Sequence, residues 1–158
     1  MTDEEYKNYL SRASRLCAGK ERCEHDIHKK LTDWGLDQQT RERIVVSLRE
    51  SNFIDHQRYA NAFARDKLRF NHWGRKKIAY ALKSKNIEEA YIQEALDHIP
   101  ARQYEAILKD ELEKKNQSLK TNNIQERRNK LCNFLLQKGF ESGKVFEFVD
   151  DRLREMDN

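Results

Sequence analysis

Apolar residues recur along this chain with the spacing of an amphipathic helix, and the spacing itself is repeated. In each copy two apolar residues four positions apart lie on one helix face. These pairs are Ile27 with Leu31 in the first copy, Ile78 with Leu82 in the second, and Leu131 with Leu135 in the third. A second apolar pair follows each of them downstream: Ile44 with Val45, Ala95 with Leu96, and Phe148 with Val149. This periodicity predicts a tandem helical repeat.

Each copy contains a helix stop of the same chemical kind. Gly or Asn stands four residues after the first apolar pair, and both residue types accept the left-handed conformation found at helix C-termini. One apolar residue follows and can pack back on the helix that has just ended. A candidate N-cap for a second helix comes next. The stops are Gly35, Asn86 and Gly139, the apolar residues are Leu36, Ile87 and Phe140, and the cap candidates are Asp37, Glu88 and Ser142.

A further helix is predicted before each of these helix pairs, so the chain is expected to be all-α, with three tandem three-helix repeats. We place the repeats at 1–51, 52–100 and 101–158. Because modules of about fifty residues bury little alone, neighbours should pack on one another in an elongated, curved array. The expected helices are 4–18, 22–34, 38–50, 55–70, 73–85, 88–98, 101–119, 123–138 and 142–155.

Two further expectations concern the joints between helices. Asn123 followed by Glu126 predicts an N-terminal cap for the eighth helix, and the polar stretch Asn116 to Asn123 predicts a flexible joint before it. Trp34 and Trp73 fall at a helix end and a helix start. We interpret both as packing residues between neighbouring modules, not as a ligand cage.

Composition narrows the function classes. The chain has 158 residues, 37% of them apolar and 37% charged, with one Pro and five Gly, which disfavours a large catalytic fold and a sheet protein. Its three cysteines form no Cys-x-x-Cys pair, so we expect reduced thiols. No apolar run is long enough to span a membrane, and the acidic start has no basic-then-apolar leader. We therefore expect a cytoplasmic monomer without a membrane contact.

The excess positive charge is concentrated in the middle repeat. Residues 65–85 contain eight Lys or Arg and one acid, Asp66, a pattern typical of a surface that binds a phosphate-bearing partner. In a regular helix, Arg58, Arg65 and Arg69 lie on one stripe of the surface. On the next helix, Tyr80 lies between Lys76 and Lys83. The alternative is an ordinary solvated helix face. The candidate partner-binding residues are Arg58, Arg65, Arg69, Arg75, Lys76 and Lys83.

One segment of the middle repeat resembles the central signature of the bacterial RecX family. The segment runs Phe53-Ile54-Asp55-His56-Gln57-Arg58-Tyr59-Ala60 and continues through Phe63, Arg65, Gly74 and Arg75 to Ile87. Segment 22–35 is similar to the opening motif of the family, and Gly139-Phe140 with the following helix is similar to its closing module. The chain departs from the family pattern at Cys23, His56 and Asn86. The first two of these lie at expected helix starts and are expected to weaken a cap.

The resemblance implies a regulator of the RecA recombinase. Such a protein binds the RecA filament on DNA, lodges along the groove of the filament and usually inhibits it. Such a protein would not be an enzyme and would need no cofactor. DNA would be contacted directly or through the filament.

Other classes of function have less support in the residues. A free-standing nucleic-acid-binding module of helix-turn-helix type is the main alternative, but only Arg41 and Arg43 of the first repeat suit the position that reads bases. Zinc ligation by Cys17, Cys23, His25 and His28 has the wrong spacing, so no metal is expected. No Gly-rich phosphate loop and no nucleophile with a convincing base are present.

Overall fold

The computed structural model describes residues 1–157, and within that range it contains nine α-helices and no strand. The all-α prediction is confirmed, and each helix lies within a few residues of its expected position. No helix in the described range is both long and apolar enough to cross a bilayer. The helices are α1 (Asp3–Gly19), α2 (Glu24–Asp33), α3 (Gln38–Glu50), α4 (His56–Asn71), α5 (Arg75–Ser84), α6 (Glu89–Asp97), α7 (Ala101–Ser118), α8 (Ile124–Gln137) and α9 (Ser142–Asp157).

The middle helix of every repeat ends as the sequence predicts. Gly35, Asn86 and Gly139 adopt positive φ angles of 83°, 61° and 96°. The N–H of each following apolar residue donates to a carbonyl five residues back, at 3.2 Å in all three repeats. This is the Schellman arrangement, which satisfies the last carbonyls of a helix. The three apolar residues that follow are buried, with Leu36 6%, Ile87 4% and Phe140 0% exposed.

The predicted N-caps are confirmed in part. The Asp37 carboxylate accepts from the Thr40 N–H at 2.8 Å, and the Asn123 side chain accepts from the Glu126 N–H at 2.9 Å. The prediction for Ser142 is wrong, because Ser142 is already the first residue of α9. Glu88 occupies the cap position without a side-chain hydrogen bond, in keeping with the weaker capping of a longer side chain.

The second and third repeats share one hydrophobic core. A single buried cluster extends from Tyr59 of α4 to Leu153 of α9, whereas the first repeat has a separate cluster centred on Leu31 and Ile44. Two residues are exceptions, because Cys23 belongs to the first repeat but lies in the core of the other two, and Ile54 belongs to the second repeat but lies in the cluster of the first. The exposed surface is 9827 Å², against about 8,400 Å² for an average compact protein of this mass.

The polar stretch expected to be flexible is held by a buried arginine. The guanidinium of Arg127, only 8% exposed, donates to the backbone carbonyl of Asn116 at 2.8 Å and to its side-chain oxygen at 2.7 Å. It also donates to the carbonyls of Leu119 and Thr121. Polar composition suggested mobility, but one charged side chain from α8 satisfies the carbonyls that the end of α7 leaves open.

Trp34 packs inside the first repeat and not between modules as expected, whereas Trp73 packs in the second repeat at the cleft that separates it from the first. Trp34 stacks against Tyr9 with ring centroids 6.2 Å apart, and the Arg12 guanidinium lies 4.0 Å from the Trp34 ring centroid. Trp73 meets Phe63 edge-on at 6.5 Å. The sequence could place each ring at a helix boundary but could not decide which neighbour it would pack against.

Candidate nucleic-acid interface

The outer face of α4 and α5 carries cations that are free of acidic partners. Within residues 1–157, no carboxylate oxygen lies within 4.0 Å of the side-chain nitrogens of Arg69, Lys76 or Lys83, and all three side chains are exposed. Tyr80 stands between the two lysines on α5 and is 77% exposed. Phe70 is 73% exposed and lies beside the Arg69 guanidinium. We call Arg65, Arg69, Lys76, Tyr80 and Lys83 the α4–α5 face.

Arg65 is only loosely paired. Its Nε lies 3.6 Å from an Asp66 carboxylate oxygen, and the side chains are 60% and 53% exposed. A solvated pair at that separation contributes little stability, so Arg65 can leave Asp66 for a phosphate at small cost. Arg65 therefore belongs with the free cations.

Arg58 does not belong to the free face. Its Nε donates to Glu21 of the first repeat at 2.5 Å, and its terminal nitrogen donates to the Asn52 carbonyl at 3.0 Å. Helical periodicity correctly placed Arg58 on the same stripe as Arg65 and Arg69. What it could not show is that Glu21, in the segment that follows α1, forms an ion pair with Arg58. Arg58 joins the first repeat to the second.

Arg75 likewise joins the second repeat to the third. Its guanidinium donates to Glu141 at 3.1 Å and lies 3.9 Å from the centroid of the Tyr104 ring. Its backbone N–H donates to the Tyr104 hydroxyl at 3.0 Å, and that hydroxyl donates in turn to Glu141. Burial, with the Glu141 hydrogen bond, raises the pKa of Tyr104 above its usual value and keeps the hydroxyl a donor.

The two arginines that suited a base-reading helix are occupied locally. Arg41 donates to the carbonyl of Leu36 at 2.6 Å, and the Arg43 guanidinium lies 4.3 Å from the centroid of the Tyr6 ring. Both side chains therefore stabilise the first repeat. This argues against α3 as a recognition helix.

The potential metal ligands noted in the sequence do not converge. Among the described residues, the one group of three or more His, Cys, Asp or Glu ligand atoms lying within 4.8 Å of one another is His72, Asp110 and Glu111. Lys114 pairs with Asp110 at 3.0 Å, and Lys138 lies 3.8 Å from Glu111. The two ammonium groups already balance the two carboxylates. The cluster is therefore a salt-bridge network of the third repeat, which His72 of the second repeat joins through Glu111.

Sequence reasoning missed a second cationic cluster on the same repeat. The ammonium groups of Lys67 and Lys77 lie 4.9 Å and 4.7 Å from the centroid of the Trp73 ring. Trp73 lies in a cleft between the first and second repeats, which Lys20 and Arg22 also line. The basic run 65–85 did include both lysines. Their convergence on Trp73 depends on how α5 packs against α4, so no linear pattern could have identified it.

Comparison with known proteins identifies the family. Residues 55–96 match the model of the second three-helix domain of RecX, and residues 103–149 match that of the third. A regulatory protein RecX from Clostridium acetobutylicum is 30% identical over 159 residues, covering 96% of this chain and 73% of the relative. The chain belongs to the RecX family. A RecX from Clostridium tetani is 34% identical over 119 residues, covering 74% of this chain and 54% of the relative.

Solved structures of RecX proteins have the same fold. One crystal structure of a regulatory protein RecX superposes with a TM-score of 0.83 at 27% identity, covering 92% of this chain and 71% of that one. The RecX of Lactobacillus salivarius superposes with a TM-score of 0.82 at 18% identity, covering 97% and 99%. This chain spans about half to two thirds of the length of several curated RecX relatives. The relatives are regulatory proteins by name.

Proposed function

We propose that this protein binds the RecA filament on DNA and lowers its recombinase and ATPase activities. Membership of the RecX family supports a regulatory role. The observation that carries the proposal is the α4–α5 face, where Arg69, Lys76 and Lys83 are exposed and unpaired within the described range. A nucleoprotein filament presents phosphates that such a face can neutralise.

Cations without an acidic partner bind a polyanion more readily than cations that already hold a carboxylate. A lysine that already holds a carboxylate must break that pair before it meets a phosphate, whereas Lys76 and Lys83 only exchange water and counterions. Tyr80 lies between them with most of its ring exposed, so it can cover sugar or base while the ammonium groups contact phosphate. The α4–α5 face thus combines charge with an aromatic surface.

The packing of the repeats suggests how regulation would work. Because the second and third repeats share one core, they present their surfaces as a single unit, and the first repeat has a core of its own. An elongated ligand of this kind can touch neighbouring subunits of a filament. It then shifts the filament between states by its difference in affinity for them, so that inhibition follows if the inactive or disassembling state is bound more tightly.

The proposal is tested on preformed RecA filaments on single-stranded DNA. We expect near-stoichiometric protein to lower the DNA-dependent ATPase rate and to co-sediment with the filaments. As a matched control, Lys29→Gln and Lys30→Gln remove two charges from α2 in the first repeat and should leave both readouts unchanged. An unchanged ATPase rate together with no co-sedimentation at saturating protein would overturn the proposal.

A further inference from the structure

A second basic surface adjoins the α4–α5 face at Arg65, in a cleft between the first and second repeats. The cleft has a volume of about 640 Å³. On one side it is bounded by the segment that joins α1 to α2, and on the other by α4 and α5. Its lining includes the basic residues Lys20, Arg22, Arg65, Lys67 and Lys85 and the aromatic residues Phe63 and Trp73.

Two of the three acids of this cleft hold close ion pairs, and the third, Asp66, is only loosely paired with Arg65. Asp26 accepts from Lys85 at 2.8 Å, Glu21 holds Arg58, and Asp66 lies beside Arg65. Within the described residues, no carboxylate oxygen lies within 4.0 Å of the side-chain nitrogens of Lys20, Arg22 or Lys67. The unpaired charge in the cleft is therefore positive.

Trp73 gives the cleft an aromatic wall with cations beside it. The Lys67 and Lys77 ammonium groups both lie within 5 Å of the indole centroid, at 4.9 Å and 4.7 Å, and Phe63 meets the indole edge-on. Trp73 lines the cleft and is partly exposed, and Lys77, which is not itself a lining residue, places its ammonium group over the same ring. Two ammonium groups next to accessible aromatic surface form a combination suited to a phosphate with its attached sugar or base.

We propose that this cleft binds the backbone of a single nucleic-acid strand directly, with Lys67 and Lys77 on phosphates and Trp73 against the sugar or base. The inference rests on the proposed function and deepens it, since it assigns direct DNA contact to Lys67, Lys77 and Trp73, which adjoin the α4–α5 face at Arg65 and are not part of it. A cleft of this volume accommodates about one or two nucleotides, too little space for a duplex. An acidic peptide would use the cations but not the aromatic wall, so a nucleic-acid strand is the better fit.

The test is a titration of a fluorescently labelled oligo(dT) with the purified protein, without RecA, followed by anisotropy over a salt series. The variant Lys67→Gln/Lys77→Gln should weaken binding by about tenfold. It should also reduce the slope of log affinity against log salt by about 1.4, because each of the two lost phosphate contacts contributes about 0.7 on a single strand. Oligo(dT) should also quench the tryptophan fluorescence of the wild-type protein.

The matched control is Lys109→Gln/Lys115→Gln in the third repeat. These lysines also lie beside aromatic rings, 5.2 Å from the Phe148 centroid and 5.1 Å from the Phe134 centroid, so the control removes the same charge and the same kind of ring contact. It should bind oligo(dT) like the wild type. Circular dichroism checks that both variants keep their helices.

Filament readouts on the same variants separate this inference from the proposed function. If the wild type lowers the filament ATPase but binds no oligo(dT), or if poly-glutamate competes as well as unlabelled oligo(dT), the cleft proposal is wrong and the proposed function stands. If the cleft variant binds oligo(dT) like the wild type, the strand lies elsewhere. If the protein binds oligo(dT) through the cleft but neither inhibits nor co-sediments with filaments, the proposed function fails and the cleft remains.

Discussion

Gly74 lies so close to the backbone of Gly139 that it could not carry a side chain without movement of the backbone, and a Cβ on Gly139 would in turn lie 2.4 Å from the Cβ of Lys77. The Gly74 N–H donates to the Lys138 carbonyl at 2.8 Å, and the Lys76 N–H donates to the Gly139 carbonyl at 2.9 Å. A Cβ on Gly74 would lie 2.3 Å from the carbonyl carbon of Gly139. The start of α5 in the second repeat is thus hydrogen-bonded, backbone to backbone, to the turn that ends α8 in the third.

Replacing Gly74 should therefore loosen the junction between these two repeats. We expect Gly74→Ala to lower the free energy of unfolding by about 2 to 3 kcal/mol, because the added methyl meets backbone atoms that cannot rotate away. Chemical denaturation measures the loss.

Gly143→Ala is the control for Gly74→Ala. No atom lies within 4 Å of a Cβ built on Gly143, and the residue is helical, so alanine should be neutral or stabilise by about 0.5 kcal/mol. Equal stability of Gly74→Ala and the wild type would mean that the close backbone contact is absent in solution.

The buried guanidinium of Arg127 should matter more than any exposed arginine of the third repeat. Arg127→Ala leaves the carbonyls of Asn116, Leu119 and Thr121 without their donor, and we expect a loss of about 2 to 4 kcal/mol in thermal or chemical unfolding. Arg154→Ala, which breaks only an exposed pair with Asp151, should change stability by less than about 1 kcal/mol. Similar losses in the two variants would contradict the role assigned to Arg127.

Charge reversal on the α4–α5 face should separate binding from stability. The triple variant Arg65→Glu, Arg69→Glu and Lys76→Glu should weaken filament association and flatten its salt dependence, because fewer counterions are released. Its melting temperature should stay close to that of the wild type, since these side chains are exposed.

Arg75→Gln should behave in the opposite way. This change removes the contact to Glu141 and Tyr104 between repeats, so it should lower the melting temperature while leaving the salt slope of the folded protein unchanged. If the triple variant Arg65→Glu, Arg69→Glu and Lys76→Glu is well folded and keeps the affinity and salt slope of the wild type, the filament contact lies on another surface.

Two ion pairs in the third repeat predict a loss of stability in acid. The hydrogen bond from Arg128 lowers the pKa of Asp150 below its ordinary 3.8, and that from Arg152 lowers the pKa of Glu113 below its ordinary 4.5. A carboxyl whose pKa is lower in the folded state contributes stability above its unfolded pKa and loses it as the pH falls through the folded value.

The free-energy difference between the wild type and Arg128→Gln/Arg152→Gln should therefore be constant near neutral pH and shrink below about pH 4.5. Denaturation at a series of pH values measures it. Lys29→Gln, which removes an exposed charge from α2, should show a small difference that does not change with pH. A difference that grows in acid would contradict the assignment of these pairs.

The amino-acid sequence by itself determined the helices, their order and the way each repeat is built. The spacing of Ile27 and Leu31, followed by Gly35, specifies an amphipathic helix and its end, because both depend on interactions within a few residues of the same segment. The two later copies repeat that information, so the all-α repeat fold was predictable. The exposed cations Arg69, Lys76 and Lys83 were predictable for the same reason, since a helix face depends only on periodicity.

Only the tertiary structure decided which cations are free. Arg58 and Arg75 look like Arg65 and Arg69 in the sequence, but Glu21 and Glu141 approach them from other repeats, 37 and 66 residues away along the chain. The same holds for Lys67 and Lys77, which converge on Trp73 because α5 packs against α4, and for Arg127, which orders a stretch whose composition favours mobility. Contacts between distant segments depend on how the repeats dock, and local periodicity carries no information about that docking.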